Sequence, residues 1–257
     1  MSTLKLENIG HPDAAGNALE FGADGSITNN VNYTGTVGVN TSSPLYQLDV
    51  KRATGGTDVV RVKGNAGNAF IRFQDVDSSS DFTLGSDDNG PTGSGSFIIY
   101  DRNASSYRWR LDSAGRVTTP YQPGFKASGL ASQVTDTSGN TNFVFNNDSV
   151  YAGYNTGNHY NTSNGIFTAP ISGVYIFGAN VMGDGTDDRF MIRIKINGTG
   201  AHQGSSSSNV NQYQDSKLTV TLKLNANDYV SIGNWGGKAN YGGNNPLEFF
   251  FWGHLLG

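Results

Sequence analysis

The chain has 257 residues, with 35 Gly, 7 Pro and 15% charged residues, a turn-dense and modestly apolar composition of the kind all-β proteins show. A net charge of -4, with no basic cluster longer than Lys51-Arg52, excludes the electrostatic footprint expected of a nucleic-acid or anionic-membrane partner. The absence of Cys removes disulfides as a source of stability, so a large core or contacts between copies must take their place.

Helix formers are scarce: Glu occurs only at Glu7, Glu20 and Glu248, and no window sustains a 3.6-residue apolar period. The first residues hold no long apolar run, which predicts a soluble product without an export signal or membrane insertion. Residues 1–44 are punctuated by Gly and Asn and carry only short apolar pairs, such as Leu4/Leu6, Leu19/Phe21, Val31/Tyr33 and Val37/Val39. Runs this short make no core of their own, and the segment is expected to fold against other chains or a host surface.

From Tyr46 the alternation strengthens. Tyr46/Leu48/Val50, Ile71/Phe73, Phe82/Leu84 and Phe97/Ile99 follow one another between Gly- and Asp-rich turns, so residues 45–120 read as a small antiparallel β module with one face buried. Tyr107, Trp109 and Leu111 alternate with Arg108, Arg110 and Asp112, which predicts the first three on one face.

Pro120, Pro123 and Gly124 mark the clearest boundary, because proline removes donors and restricts its predecessor. Residues 121–257 form the last predicted domain. Phe190/Ile192/Ile194/Ile196 and Leu218/Val220/Leu222/Leu224 are inward rows, with Arg193, Lys195, Thr219, Thr221 and Lys223 outward, a sandwich pattern. Residues 174–182, apart from Gly178 and Asn180, and residues 249–256 are apolar on both faces. Both strands are therefore expected to be covered on two sides, inside the sandwich or partly at an interface between subunits.

Eight pieces follow in a recognisable order: Gly124-Phe-Lys-Ala127, Phe143-Val-Phe-Asn146, Asn155-Thr-Gly-Asn-His-Tyr160, Gly165-Ile-Phe-Thr-Ala-Pro170, Gly173-Val-Tyr-Ile-Phe177, Ile194-Lys-Ile-Asn-Gly198, Leu218-Thr-Val-Thr-Leu-Lys-Leu224 leading to Asp228-Tyr-Val230, and Phe251-Trp-Gly-His-Leu-Leu256. Together they resemble the globular head of complement C1q and its tumour-necrosis-factor-like relatives. The resemblance implies a ten-stranded jelly roll forming a tight homotrimer around a three-fold axis lined with aromatics, with Tyr175, Phe177, Phe249, Phe251 and Trp252 as interface candidates. Two features depart from it: Asn227-Asp228 stands where Gly-Asp is usual, and the collagen stalk of the animal proteins is absent.

In place of that stalk, Val37-Gly-Val-Asn-Thr-Ser-Ser-Pro-Leu-Tyr-Gln-Leu-Asp-Val50 and Trp109-Arg-Leu-Asp-Ser-Ala-Gly-Arg-Val117 are similar to a module that recurs in bacteriophage fibre and virion-surface proteins. This second resemblance implies a homotrimeric fibre of tail or capsid, located on the virion surface. Residues 1–44 would attach to other virion proteins, residues 45–120 form a stalk or shoulder, and the knob at 121–257 face outward. Host-surface adsorption by the knob and a purely structural role, capping the trimer or decorating the capsid, both remain open at this point.

No catalytic residues are expected. His11, His159, His202 and His254 lack metal-ligand spacing, and no nucleophile elbow, Walker loop or dinucleotide fingerprint is present, so an enzyme is not expected. Asp75/Asp77 and Asp187/Asp188 could be cast as the carboxylate pair of a glycan hydrolase, but turn chemistry explains them. Asp184, Asp187 and Asp188 cluster in a Gly-bearing loop and are a calcium candidate without EF-hand spacing; no other cofactor is implied. Trp235 and Tyr241, with Tyr213 and Asn240, fall in loops expected to point away from the stalk. Rigid aromatics among polar residues suit stacking against a host cell-surface glycan or protein; packing of the Trp235 and Tyr241 rings at the trimer interface is the equal alternative.

Overall fold

A computed structural model describes residues 68–257 apart from 76, 88–94, 132–133, 135–139, 151, 185–188, 208–213 and 237–246; before residue 68 it describes four short strands and Val62. Contacts divide the chain into two units, Met1–Phe70 and Ile71–Gly257. In the first, β1 (Glu20–Phe21) pairs antiparallel with β2 (Ile27–Thr28), and β3 (Val37–Val39) pairs parallel with β4 (Leu48–Val50). The β3–β4 pair joins one strand on each side of residue 44.

Five strands then form a meander in chain order: β5 (Ala69–Asp75), β6 (Ser80–Asp87), β7 (Ser96–Asp101), β8 (Ser106–Asp112) and β9 (Val117–Thr118). Its register sets Leu84 beside Ile99 and Trp109, and Phe97 beside Leu111 and Val117, on one face. The opposite face carries Asp81, Thr83, Asp87, Ser96 and Ile98. Those five are buried, whereas Phe73, Phe82, Phe97, Ile99 and Val117 are exposed.

One face is buried, as expected, but it is the polar one, because long polar side chains fold over short ones. Arg72 Nε donates to Asp81 Oδ1 at 2.8 Å, Arg110 Nε donates to Ser96 Oγ at 2.8 Å, and the Tyr107 hydroxyl donates to Asp87. Tyr107 therefore departs from its predicted face. A bulge between Ile99 and Tyr100 inserts an extra residue opposite and turns Tyr107 to the side of Tyr100 and Arg110, as extra residues in a ladder do.

The remaining eleven strands make two antiparallel sheets. The first holds β10 (Gly124–Leu130), β11 (Phe145–Asn147), β12 (Tyr154–Thr156), β15 (Gly173–Gly183), β18 (Gln214–Leu224) and β20 (Phe250–Leu255), in the order β11-β10-β20-β15-β18, with β12 also paired to β10. The second holds β13 (Tyr160–Asn161), β14 (Ile166–Thr168), β16 (Arg189–Ile196), β17 (Thr199–Ser207) and β19 (Tyr229–Gly236), in the order β13-β14-β19-β16-β17. From β14 onward the chain passes repeatedly between the sheets, the path of a jelly roll. No helix occurs among the described residues, and the fold is all-β.

Aromatic rings fill the space between the sheets. Phe125 stacks on Tyr160 at 4.5 Å and on Phe167 at 5.1 Å, and meets Phe251 edge-on at 4.9 Å. Phe167 is also edge-on to Tyr175 and Phe177. Each such pair adds roughly 0.5–1.5 kcal/mol beyond burial itself. The Tyr160 hydroxyl donates to the Phe145 carbonyl at 3.0 Å, giving a buried polar tip its partner.

Strand β15 sends Tyr175, Phe177, Ala179 and Val181 inward, all buried. Its other face is not closed within the chain, since Val174 is exposed and Ile176 and Met182 are half-buried. The expected two-sided cover is thus complete on the inner side and partial on the outer, where Gly178 and Asn180 are buried but Val174 is exposed. Lys195, predicted outward, is buried and donates from Nζ to the Asn140 carbonyl at 3.2 Å. Asn227 has φ 72°, a left-handed conformation that glycine adopts without penalty, which accounts for the glycine usual at that place in similar sequences.

Candidate functional site

Two exposed sheet faces carry the chemistry. On the outer side of the first sheet, register aligns Thr221, Ile176 and His254, then Thr219, Gly178, Trp252 and Lys126, then Lys217, Asn180, Phe250 and Ser128. Ile176, Phe250 and Trp252 are half-buried and His254 is exposed. The Trp252 indole sits over Gly178 so closely that a Cβ there would fall 2.4 Å from Cε2. His254 Nε2 shares a hydrogen bond with the Tyr154 hydroxyl, whose ionisation burial pushes up. The result is an aromatic shelf, uncharged at its centre and bordered by Lys126 and Lys217.

Of the five residues proposed for the interface, only Trp252 lies on this shelf. Tyr175, Phe177, Phe249 and Phe251 are at most 1% exposed and belong to the chain's own core. Their side chains cannot touch a neighbouring copy. The physical reason is parity: in β20, Phe251 and Leu255 point inward with Gly253, so Phe250, Trp252 and His254 point out.

The outer side of the second sheet carries the other feature. Arg193 on β16 pairs in register with Gly233 on β19, which brings its guanidinium carbon 3.1 Å from the centroid of the Trp235 ring, a cation–π contact. Arg193 Nη2 also reaches Gln203 Oε1 at 3.4 Å. Beside them a shallow open depression of about 440 Å³ is lined by Arg193, Gly200, Ala201, His202 and Gln203. Its donors and acceptors lie next to a fixed aromatic plane, an arrangement suited to polar, hydroxyl-bearing ligands.

Trp235 is therefore half-buried beneath Arg193 rather than standing free in a loop. Tyr213, Asn240 and Tyr241 lie outside the described residues, as do Asp187 and Asp188 of the calcium candidate; Asp184 is half-buried at the end of β15. His159 is half-buried, and that burial lowers its affinity for a proton. Sequence reasoning missed His202 and Gln203. It read Arg193 only as an outward residue, because nothing in a linear pattern tells which aromatic a β-strand cation will meet across the register.

The chain is thus an all-β protein whose C-terminal half is a two-sheet jelly roll with open outer faces. That half matches the model of the C1q domain over residues 126–256, just over half of the chain, and the protein belongs to the C1q domain family. Solved structures similar to it include the globular domain of the zebrafish complement 1qA protein, at 20% identity, covering 53% of this chain and 98% of that one with a TM-score of 0.40. The Eiger TNF of S. frugiperda is similar at 13% identity, covering 53% and 93% with a TM-score of 0.42. Murine APRIL at pH 5.0 is similar at 12% identity, covering 52% and 99% with a TM-score of 0.42. The family assignment rests on the domain match and on the strand topology.

Proposed function

We propose that this protein is a homotrimeric bacteriophage fibre whose C1q-type knob binds the host surface. The observation that carries the trimer is the aromatic shelf of Ile176, Phe250 and Trp252, an apolar row on an outer sheet face that the chain leaves partly open. Half-exposed aromatics next to small residues are the material of association hot spots. The virion location is supported by the likeness of residues 37–50 and 109–117 to phage fibre modules. Residues 1–44 then attach the protein to its particle.

Adsorption is assigned to the second sheet, where Arg193 and Trp235 form a rigid plane beside the depression holding His202 and Gln203. Such a site recognises a glycan by stacking on the Arg193 guanidinium that Trp235 holds flat and by hydrogen bonds to hydroxyls, without cutting it. The test is binding of the full-length protein to a printed glycan array and to candidate host cells. Trp235→Ala is expected to remove binding while sedimentation still reports three chains. Retained binding by a folded, trimeric Trp235→Ala protein sinks the adsorption site, and gold-labelled antibody that finds the protein nowhere on a virion sinks its location.

A further inference from the structure

The meander of β5 to β9 presents its apolar face to solvent. Ile71, Phe73, Phe82, Phe97, Ile99 and Val117 are between 37% and 56% exposed, and Leu84, Trp109 and Leu111 are half-buried among them. Ile71 and Phe73 join this face because Arg72, between them, bonds Asp81 on the other. The register makes the patch continuous from β6 to β9, and β5 lies next to β6 in the same sheet. The six exposed residues leave roughly 500 Å² of apolar surface uncovered, taking aromatic side chains at about 150–250 Å² each, toward the upper end for a patch on a lone protein.

We infer that this face is a second interface between copies of the same chain, closing against its equivalents to form a dry shoulder core below the knob. The polar face cannot serve, since Arg72, Tyr107 and Arg110 already close over Asp81, Asp87 and Ser96. A patch of this size is smaller than the roughly 800 Å² per partner of a stable complex, so it does not hold copies together unaided. It acts on copies that another contact has already gathered.

That contact is the aromatic shelf, and the inference rests on the trimer proposed above. The link between the two is bonded at both ends. Tyr121 donates to Ser106 Oγ at 2.7 Å and lies under Arg108, while Gln122 Nε2 donates to the Leu255 carbonyl at 3.0 Å and Leu255 N donates to the Pro123 carbonyl at 3.0 Å. Leu255 belongs to β20, the strand that carries Trp252. Association at the shelf therefore brings the meanders of different copies together at an effective concentration on the order of millimolar, where a small apolar face suffices.

The chain has no cysteine, so single cysteines report directly. Phe97→Cys and Phe73→Cys are placed separately in the full-length chain, with Thr118→Cys, an exposed position of β9 paired with Arg110, as the control. Under mild oxidation the Phe97→Cys and Phe73→Cys proteins are expected to form disulfide-linked dimers about a hundredfold faster than the control, with the sedimenting mass at three chains. Three-chain mass with cross-linking no faster than the control overturns the inference and leaves the trimer standing. A single-chain mass for the unmodified protein overturns both. If Phe97→Cys fails to fold, Phe73→Cys, at the most exposed position, decides the matter by the same readout.

Discussion

Adding one methyl group at each of two glycines separates the chain's own core from its outer shelf. At Gly253 a Cβ would lie 2.4 Å from Phe177 Cδ1 and 3.0 Å from Phe125 Cε1, against an ordinary carbon contact of about 3.5–4.0 Å. Both rings are fully buried and held by Phe167 and Phe251, so neither can retreat. Gly253→Ala is expected to cost about 1–3 kcal/mol, or roughly 3–10 °C in melting temperature for a domain of this size. At Gly178 the same methyl meets Trp252 at 2.4 Å, but that indole is half-buried on an open face and can swing outward. Gly178→Ala should leave chain stability within about 1 kcal/mol, while displacing a central aromatic of the interface raises the dissociation constant by about thirtyfold or more. Sedimentation equilibrium and thermal unfolding at matched concentration read the two effects. The reasoning is refuted if Gly178→Ala associates like the unmodified protein while Gly253→Ala dissociates without losing stability.

Acid should loosen the meander before the knob. Asp81 and Asp101 are held below the usual carboxylate range chiefly by hydrogen bonds from Arg72 and Arg108, and Asp112 by the backbone N–H of Arg116 and then its side chain. A depressed folded-state value stabilises above the unfolded value of about 4 and is lost as pH falls below it, so fluorescence of a protein retaining only Trp109 should change at higher pH than that of one retaining only Trp252. In alkali the sign reverses. The hydrogen bond to Asp87, with burial, pushes Tyr107 up to about 12, and burial raises Tyr160 further. Both stabilise fully below the unfolded value of about 10 and lose that contribution as pH climbs through their folded values; burial raises Tyr154 and Tyr175 in the same direction, and phenolate absorbance should show a late-titrating fraction from which Tyr107→Phe and Tyr160→Phe each remove one tyrosine. Asn227→Gly should be neutral or slightly stabilising and Asn227→Val should cost about 1–2 kcal/mol, since φ is 72° there and the Asn227 N–H to Ala169 carbonyl bond survives either change. Equal melting temperatures for the two variants would contradict the strain argument.

Much of the jelly roll was legible where apolar residues recur at every second position. Phe190, Ile192 and Ile194 point inward, as their spacing dictates, and all three are buried. What alternation cannot reveal is which side of a two-sided apolar strand faces the chain's own core. Phe251 and Trp252 are adjacent aromatics of equal appeal, and only the pairing of β20 with β15 sends the first inward and the second out. The meander misled in a different way. Its apolar rows were read as a buried face, yet Arg72, Tyr107 and Arg110 are long enough to close the polar side themselves, and a single bulge displaced Tyr107 from its row. The contact between Arg193 and Trp235 joins residues 42 positions apart in sequence, and no local pattern announces it.

The central claim is that copies of this chain meet at the shelf of Ile176, Phe250 and Trp252. Light scattering of the full-length protein at micromolar concentration tests it most directly: the account predicts three times the chain mass for the unmodified protein and a shift toward one chain mass for a folded Trp252→Arg variant. A single-chain mass for the unmodified protein, or an undiminished three-chain mass for the variant, would contradict it.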